Sequence, residues 1–144
     1  MAGSVRDDID IEASIGEILD VALDFDSYPD WNSNVKEVRV EDTDDEGRGT
    51  LVWYRVDAKV REVTYTLAYD YSSLPDSFSW VLDAGDLDSL TGSYVFDEFD
   101  DVTEVVYEVE IEPGFPVPGV IKRQAERQIA SSALKELKKR VESA

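Results

Sequence analysis

The sequence predicts an α+β domain: a curved, seven-stranded antiparallel sheet, two short helices near the N-terminus and one long helix at the C-terminus. Three observations carry this prediction. Between Val35 and Glu112 the chain is a run of short segments with period-two alternation, separated by stretches too short to hold crossover helices. Ser14-Ile15-Gly16-Glu17 reads as a capping box and opens a short helical segment after the first strand. An amphipathic stretch from about Val117 to Val141 follows the proline-rich segment Pro113 to Gly119, which cannot extend a sheet ladder. Strands joined by short turns form antiparallel meanders, so the expected order is β-α-α-β-β-β-β-β-β-α in a single domain, 1–144.

The elements follow in order. In Val5 to Ile11, Val5, Ile9 and Ile11 share a face against Arg6, Asp8 and Asp10, a half-buried strand. Ile15, Ile18, Leu19 and Ala22 recur at helical spacing. Asp26 to Trp31 breaks that helix, and Pro29 opens a second, short turn carrying Trp31. Trp31 either gates a cavity mouth or, the favoured reading, staples the helix pair to the sheet. Six strands come next, over Val35 to Glu41, Thr50 to Ala58, Arg61 to Tyr71, Ser77 to Ala84, Leu90 to Phe99 and Thr103 to Glu112.

Alternation then sorts side chains by face. The inward set of the second and third of these strands is Tyr54, Val56 and Ala58, then Tyr65, Leu67 and Tyr69. Trp80 and Leu82, Tyr94 and Phe96, and Tyr107 and Val109 continue it. The closing helix offers Ile121, Ala125 and Ile129, on a stripe running through Ala133 and Leu137 to Val141 and widened by Ala130 and Leu134. At 3.6 residues per turn these positions precess, so the helix is expected to cross the sheet obliquely or to curve. A bent sheet with a helix laid across it tends to leave space between the layers. The inward set is rich in Tyr, and a buried phenol needs a hydrogen-bond partner. Either the phenols line a wet or ligand-filled cavity, or they sit at strand ends with their hydroxyls at the rim. Those fourteen residues other than Ala58 are the candidate ligand-binding walls.

Composition bounds the chemistry. The chain has no Cys and no His. That excludes disulfides, thiolate nucleophiles, Cys/His zinc sites and any Ser-His-Asp triad. Acid–base chemistry would fall to Asp, Glu, Lys or Tyr. The formal charge is -19, which repels nucleic acid phosphates and anionic lipid surfaces. Seven basic and three acidic residues lie between Gly119 and Ala144, so the terminal helix is the basic part of an acidic chain. Its Lys135, Lys138 and Lys139 form a face that suits an acidic partner, or simply attracts the sheet. No apolar run reaches the length of a membrane span. The first residues lack the apolar core of a signal peptide, and the expected location is cytoplasmic.

Other constellations are weak. Asp42 to Gly47 resembles the start of a calcium loop, but Trp53 stands where the bidentate Glu belongs, so an acidic turn is expected. Gly47-Arg48-Gly49 lacks the following helix of a phosphate loop. Nearly all carboxylates fall on outward positions, so no pair faces one cleft as glycoside hydrolysis needs. No cofactor or metal is expected.

The segment Asp24-Phe25-Asp26-Ser27-Tyr28-Pro29-Asp30-Trp31 resembles that of the helix-grip superfamily (START/SRPBCC), in particular its bacterial polyketide cyclase/dehydrase and coenzyme-Q-binding branch. Val35-Lys36-Glu37-Val38, Gly47 to Gly49, Arg55 to Ala58, Tyr65 to Tyr71, Gly92-Ser93-Tyr94 and Pro116 to Lys139 extend the resemblance over nearly the whole chain. It implies a seven-stranded sheet gripping the C-terminal helix around an apolar cavity. The function it implies is binding or transport of a hydrophobic or amphipathic small molecule, such as a lipid, quinone or polyketide. The alternative is a cyclase or dehydratase, for which Tyr, Arg55 or a buried carboxylate would be the available polar groups. No catalytic residue set transfers with the resemblance.

Overall fold

The computed structural model describes residues 4–57 and 61–143. Seven strands form one antiparallel sheet: β1 (Val5–Ile11), β2 (Val35–Thr43), β3 (Gly49–Asp57), β4 (Glu62–Asp70), β5 (Ser77–Gly85), β6 (Ser89–Phe99) and β7 (Val102–Glu112). Their order is β1-β7-β6-β5-β4-β3-β2. Six strands thus meander, and β1 returns to pair with β7, Val5 opposite Val109 and Ile11 opposite Thr103. Crossing from β1 at one edge to β2 at the other takes α1 (Ile15–Ala22), a 3₁₀ turn (Phe25–Ser27) and α2 (Tyr28–Trp31). Helix α3 (Gly119–Glu142) closes the chain and lies against β1 and β7, with α1 beside it. The predicted architecture is therefore the observed one. Ala58, expected at the end of an inward face, lies outside the described residues.

Local chemistry explains the boundaries. Ser14 Oγ accepts from Glu17 N–H while the Glu17 carboxylate accepts from Ser14 N–H, both at 3.2 Å, so the capping box is complete. Ser14→Ala should destabilise the protein by about 1 kcal/mol, read from the shift of its denaturation midpoint at unchanged slope. Tyr28 hydroxyl donates to the Ala22 carbonyl, tying α2 to the end of α1. The acidic turn after β2 is self-contained. The Asp44 carboxylate accepts from Glu46 N–H and Arg48 N–H, each at 2.9 Å, and pairs with Arg48 Nε at 2.9 Å. Desolvation is the largest single influence and opposes ionisation, but the hydrogen bonds from Arg48 and Glu46 and the Arg48 charge together outweigh it and hold the carboxyl below its usual range.

The concave face is filled unevenly. Ile11, Ile18, Val105, Phe96, Leu134, Leu137 and Val141 belong to one buried apolar cluster, and burial of such side chains is the main stabilising term. On α3 the buried positions are Glu126, Ala130, Ala133, Leu134, Leu137 and Val141. This seam corrects the predicted stripe. Steps of four residues from Ile121 to Val141 drift around the helix, and the two ends point about 160° apart at 3.6 residues per turn. Ile121 is consequently 46 % exposed and its neighbour Val120 is 71 % exposed. The C-terminal half of α3 seals the core, and its first turns stand clear of it. Among the described residues no helix is long and apolar enough to cross a membrane.

Candidate functional site

Between the middle of the sheet and α3 the concave face encloses a cavity of about 130 Å³. Tyr54 and Val56 of β3, Tyr65, Leu67 and Tyr69 of β4 and Trp80 of β5 form one side of it. Tyr94 of β6, Tyr107 and Val109 of β7 and Ile129 of α3 complete the predicted residues that line it. Alternation brought the nine strand residues together because one face of each strand is buried, and the helical stripe supplied Ile129.

Four candidates are corrected. Leu82 lies beyond Val81, the last β5 residue paired with β6; it still pairs with Leu67 of β4 but does not line the cavity. Phe96 is buried but fills the closed end, 6.1 Å from the Phe78 ring and stacked on Tyr94. Ile121 is turned out by the helical drift described above. Ala125 borders a separate apolar pocket of about 50 Å³ under the first turns of α3, between Leu87, Pro113, Phe115 and Ile129. Leu87, Ile111 and Ile129 line both spaces, so the small pocket adjoins the cavity.

The rings form a connected wall. Trp80 stands 5.7 Å from Tyr69, 5.4 Å from Tyr94 and 5.9 Å from Tyr107, measured between centroids. Gly92 makes this possible. It pairs with Trp80 across β5 and β6, and a Cβ there would come within 2.4 Å of the indole. The small residue opposite leaves the ring room to lie against β6.

The polar points are phenols. Tyr54 and Tyr69 hydroxyls hydrogen-bond to each other at 2.6 Å. The hydroxyls of Tyr65, Tyr94 and Tyr107 bond to no protein group among the described residues and are left to the cavity. The lining tyrosines are buried, with Tyr65 and Tyr69 half-buried, so the reading that placed the phenols at a wet rim gives way to an interior position. Burial raises the pKa of every one of them above its ordinary value, most strongly at Tyr28, Tyr54, Tyr69 and Tyr94. They are neutral hydrogen-bond donors, disfavoured as anions.

Sequence reasoning missed Asn34. It is 3 % exposed, it lines the cavity, and both Oδ1 and Nδ2 are buried without a partner. Such groups cost about 1–3 kcal/mol each when unpaired. Asn32-Ser33-Asn34 reads as a polar turn. No pattern in the sequence signals it: alternation from the buried Val35 would turn Asn34 outward, and Asn34 points in because it belongs to the turn before β2.

Glu126 was also missed. It is 5 % exposed, accepts from Ile111 N–H at 3.3 Å and pairs with Lys122 at 3.5 Å, latching α3 to the end of β7. It borders the small pocket and not the main cavity. Arg55 is on the convex face between Glu37 and Glu62. Lys138 reaches back to the Asp10 carbonyl at 2.6 Å and to Glu142 at 2.8 Å, so part of the basic face is engaged within the chain. Trp31 packs edge-on against Tyr28 at 4.9 Å and stays outside the cavity lining, as a staple would. No group of three acidic side chains able to hold a metal occurs among the described residues.

The sequence profile described as polyketide cyclase/dehydrase and lipid transport matches residues 11–138. No curated protein sequence matches the chain. Among solved structures, a START superfamily protein from Mycobacterium smegmatis superposes with a TM-score of 0.88 at 22 % identity, covering 97 % of both chains. An aromatase/cyclase from Streptomyces sp. R1128 gives 0.84 at 13 % identity, over 99 % of this chain and 94 % of that one. A STAR-related lipid transfer protein from Xanthomonas axonopodis gives 0.74 at 16 % identity, over 96 % and 85 %. At these identities the structural likeness speaks to the fold.

Proposed function

As the chain belongs to the polyketide cyclase/dehydrase and lipid transport family, we propose that it binds a hydrophobic or amphipathic small molecule between the sheet and α3. The observation that carries this reading is the 130 Å³ cavity with aromatic and aliphatic walls and neutral polar points. An apolar cavity of roughly 150 Å³ takes up benzene, so a ring-sized group fits this one whole. A lipid, quinone or polyketide would place a ring or short chain segment there. Its remainder would leave past Ile129 through the small pocket, beneath the exposed Val120 and Ile121. The net charge of -19 argues against nucleic acid as a partner.

Binding is favoured over ring-closing catalysis by what lines the space. Dehydration needs a group that takes up and returns a proton near neutral pH. No carboxylate, lysine or arginine lines the cavity among the described residues, and the phenols are shifted away from neutrality.

The test uses indene as a ring-sized apolar probe and a variant that fills the space. Ala133 is buried on α3 and lines the cavity. Ala133→Leu should weaken indene binding, followed by calorimetry, at least about tenfold while circular dichroism stays that of the parent. Equal affinity in the two proteins, or no binding to the parent of indene or of any component of a lipid extract examined by native mass spectrometry, would refute the reading.

A further inference from the structure

The backbone around Asn34 is clamped on every side. Asn32 Oδ1 accepts from Asn34 N–H at 3.1 Å, and the Asn34 carbonyl accepts from Asp57 N–H at 2.8 Å. Ser33 is held to α3 by Glu136, whose carboxylate accepts from its N–H at 3.2 Å and from its hydroxyl at 2.9 Å. The Asn34 side chain is therefore fixed where the start of β2 meets the cavity, with its donor and its acceptor both buried and unpartnered. A buried carboxamide without a partner is rare in folded proteins and calls for an explanation. Elsewhere in the cavity Tyr54 and Tyr69 share one hydrogen bond, and the open hydroxyls of Tyr65, Tyr94 and Tyr107 can each rotate to donate or accept, whereas the Asn34 carboxamide presents its donor and its acceptor in one fixed plane.

We propose that Asn34 is the specificity-determining residue of the cavity, and that it pairs with a neutral ligand group carrying a hydrogen-bond donor and acceptor on adjacent positions. A lactam or other cis-amide has this pattern, and so does a hydroxyl beside a carbonyl. The carboxamide side offers Oδ1 as acceptor and Nδ2 as donor, so such a group satisfies both in one planar contact. A carboxylate is the wrong partner. It would leave Oδ1 facing negative charge, no cation lines the cavity among the described residues, and the chain as a whole carries -19. This inference rests on the cavity being a ligand site, and it adds which end of the ligand is read and by what.

The experiment compares near-isosteric probes by calorimetry: indene with no polar group, indole with a donor only, and oxindole with both in a lactam. A second arm compares 1-indanone with 2-hydroxy-1-indanone, to separate the lactam from the hydroxy-carbonyl source of the same pattern. The parent should prefer at least one donor–acceptor probe over its incomplete counterpart by up to about tenfold, the effect of the one further net hydrogen bond. Asn34→Leu should erase that preference, each donor–acceptor probe then binding within about twofold of its incomplete counterpart. If this variant does not fold, the smaller Asn34→Val takes its place in the same comparison. Indene binding with no preference in the parent, as when water alone satisfies the carboxamide, overturns the assignment and leaves the cavity reading intact. A preference that survives in the variant overturns it as well, and failure of every probe to bind removes both.

Discussion

Alkaline titration should unfold this protein in one steep step, with its tyrosinates emerging together and not before. All seven tyrosines have pKa values raised by burial above the ordinary 10.0. The folded state holds these phenolic protons more tightly than the unfolded chain does. Above the unfolded value the unfolded chain binds fewer protons, so stability falls with each further increment of pH. The phenolic contribution is fully present below pH 10 and disappears as pH rises towards the raised values. Tyrosinate absorbance and far-ultraviolet circular dichroism should change at one midpoint, above pH 10, with an apparent Hill slope well above one. Several phenols ionising near pH 10 with the fold intact would show that they face bulk water, and the cavity would lose its wall.

Gly85→Ala should cost roughly 2–4 kcal/mol, among the largest effects of any single methyl group added to this chain. Gly85 has φ +130°, a conformation that side chains rarely adopt, and a Cβ there would lie 2.4 Å from Tyr65 Cα and 2.6 Å from the Thr64 carbonyl oxygen. Those atoms are backbone and cannot step aside. The position lies two residues past a bulge at Asp83: Tyr65 is opposite Gly85 and Thr66 opposite Ala84, but Leu67 is opposite Leu82, so Asp83 is the extra residue. Beyond it the Asp86 carboxylate accepts from Thr64 N–H at 2.9 Å and from its hydroxyl at 3.2 Å, clamping the strand that carries Tyr65. The substitution should therefore also weaken indene binding by displacing Tyr65. Gly119→Ala is the control, because a Cβ there meets nothing within 4 Å and α3 gains a better helix former. Urea denaturation of the two variants measures the contrast. A loss below about 0.5 kcal/mol for Gly85→Ala would mean that the close approach of Gly85 to β4 is not the fixed feature described.

The sheet was legible because each strand buries one face. Val105, Tyr107 and Val109 against Glu104, Glu108 and Glu110 leave one choice of inward side, and the structure buries the three apolar ones. Alternation reports the side of a residue, however, and not its distance along the strand. That is why Leu82 and Phe96 were assigned to the cavity wall, although Leu82 lies past the part of β5 that pairs with β6 and Phe96 belongs to the buried apolar cluster outside the lining. The bulge at Asp83 depends on pairing with β4 and leaves no trace in the periodicity of β5.

The helix was harder to read for a geometric reason. A stripe drawn in steps of four looks continuous in the sequence yet winds around the surface of the rod. The seam that is buried mixes steps of three and four, through Glu126, Ala130, Ala133, Leu137 and Val141, and it admits an acid that the hydrophobic pattern excluded. Glu126 is tolerated there because Lys122 and the Ile111 N–H satisfy it. Asn34 escaped notice for the opposite reason. Its neighbours make it look like a turn residue, and the turn is real, but this turn is held with the amide buried, against the alternation that the buried Val35 would impose.

The central claim is that the space between sheet and helix is a ligand site, and the most direct measurement is a crystal structure of the protein grown with indene. The expected result is the ring bound among Tyr65, Tyr94, Tyr107 and Ala133, with α3 in place. Indene found only on the outer surface, with those side chains closed upon one another, would contradict it.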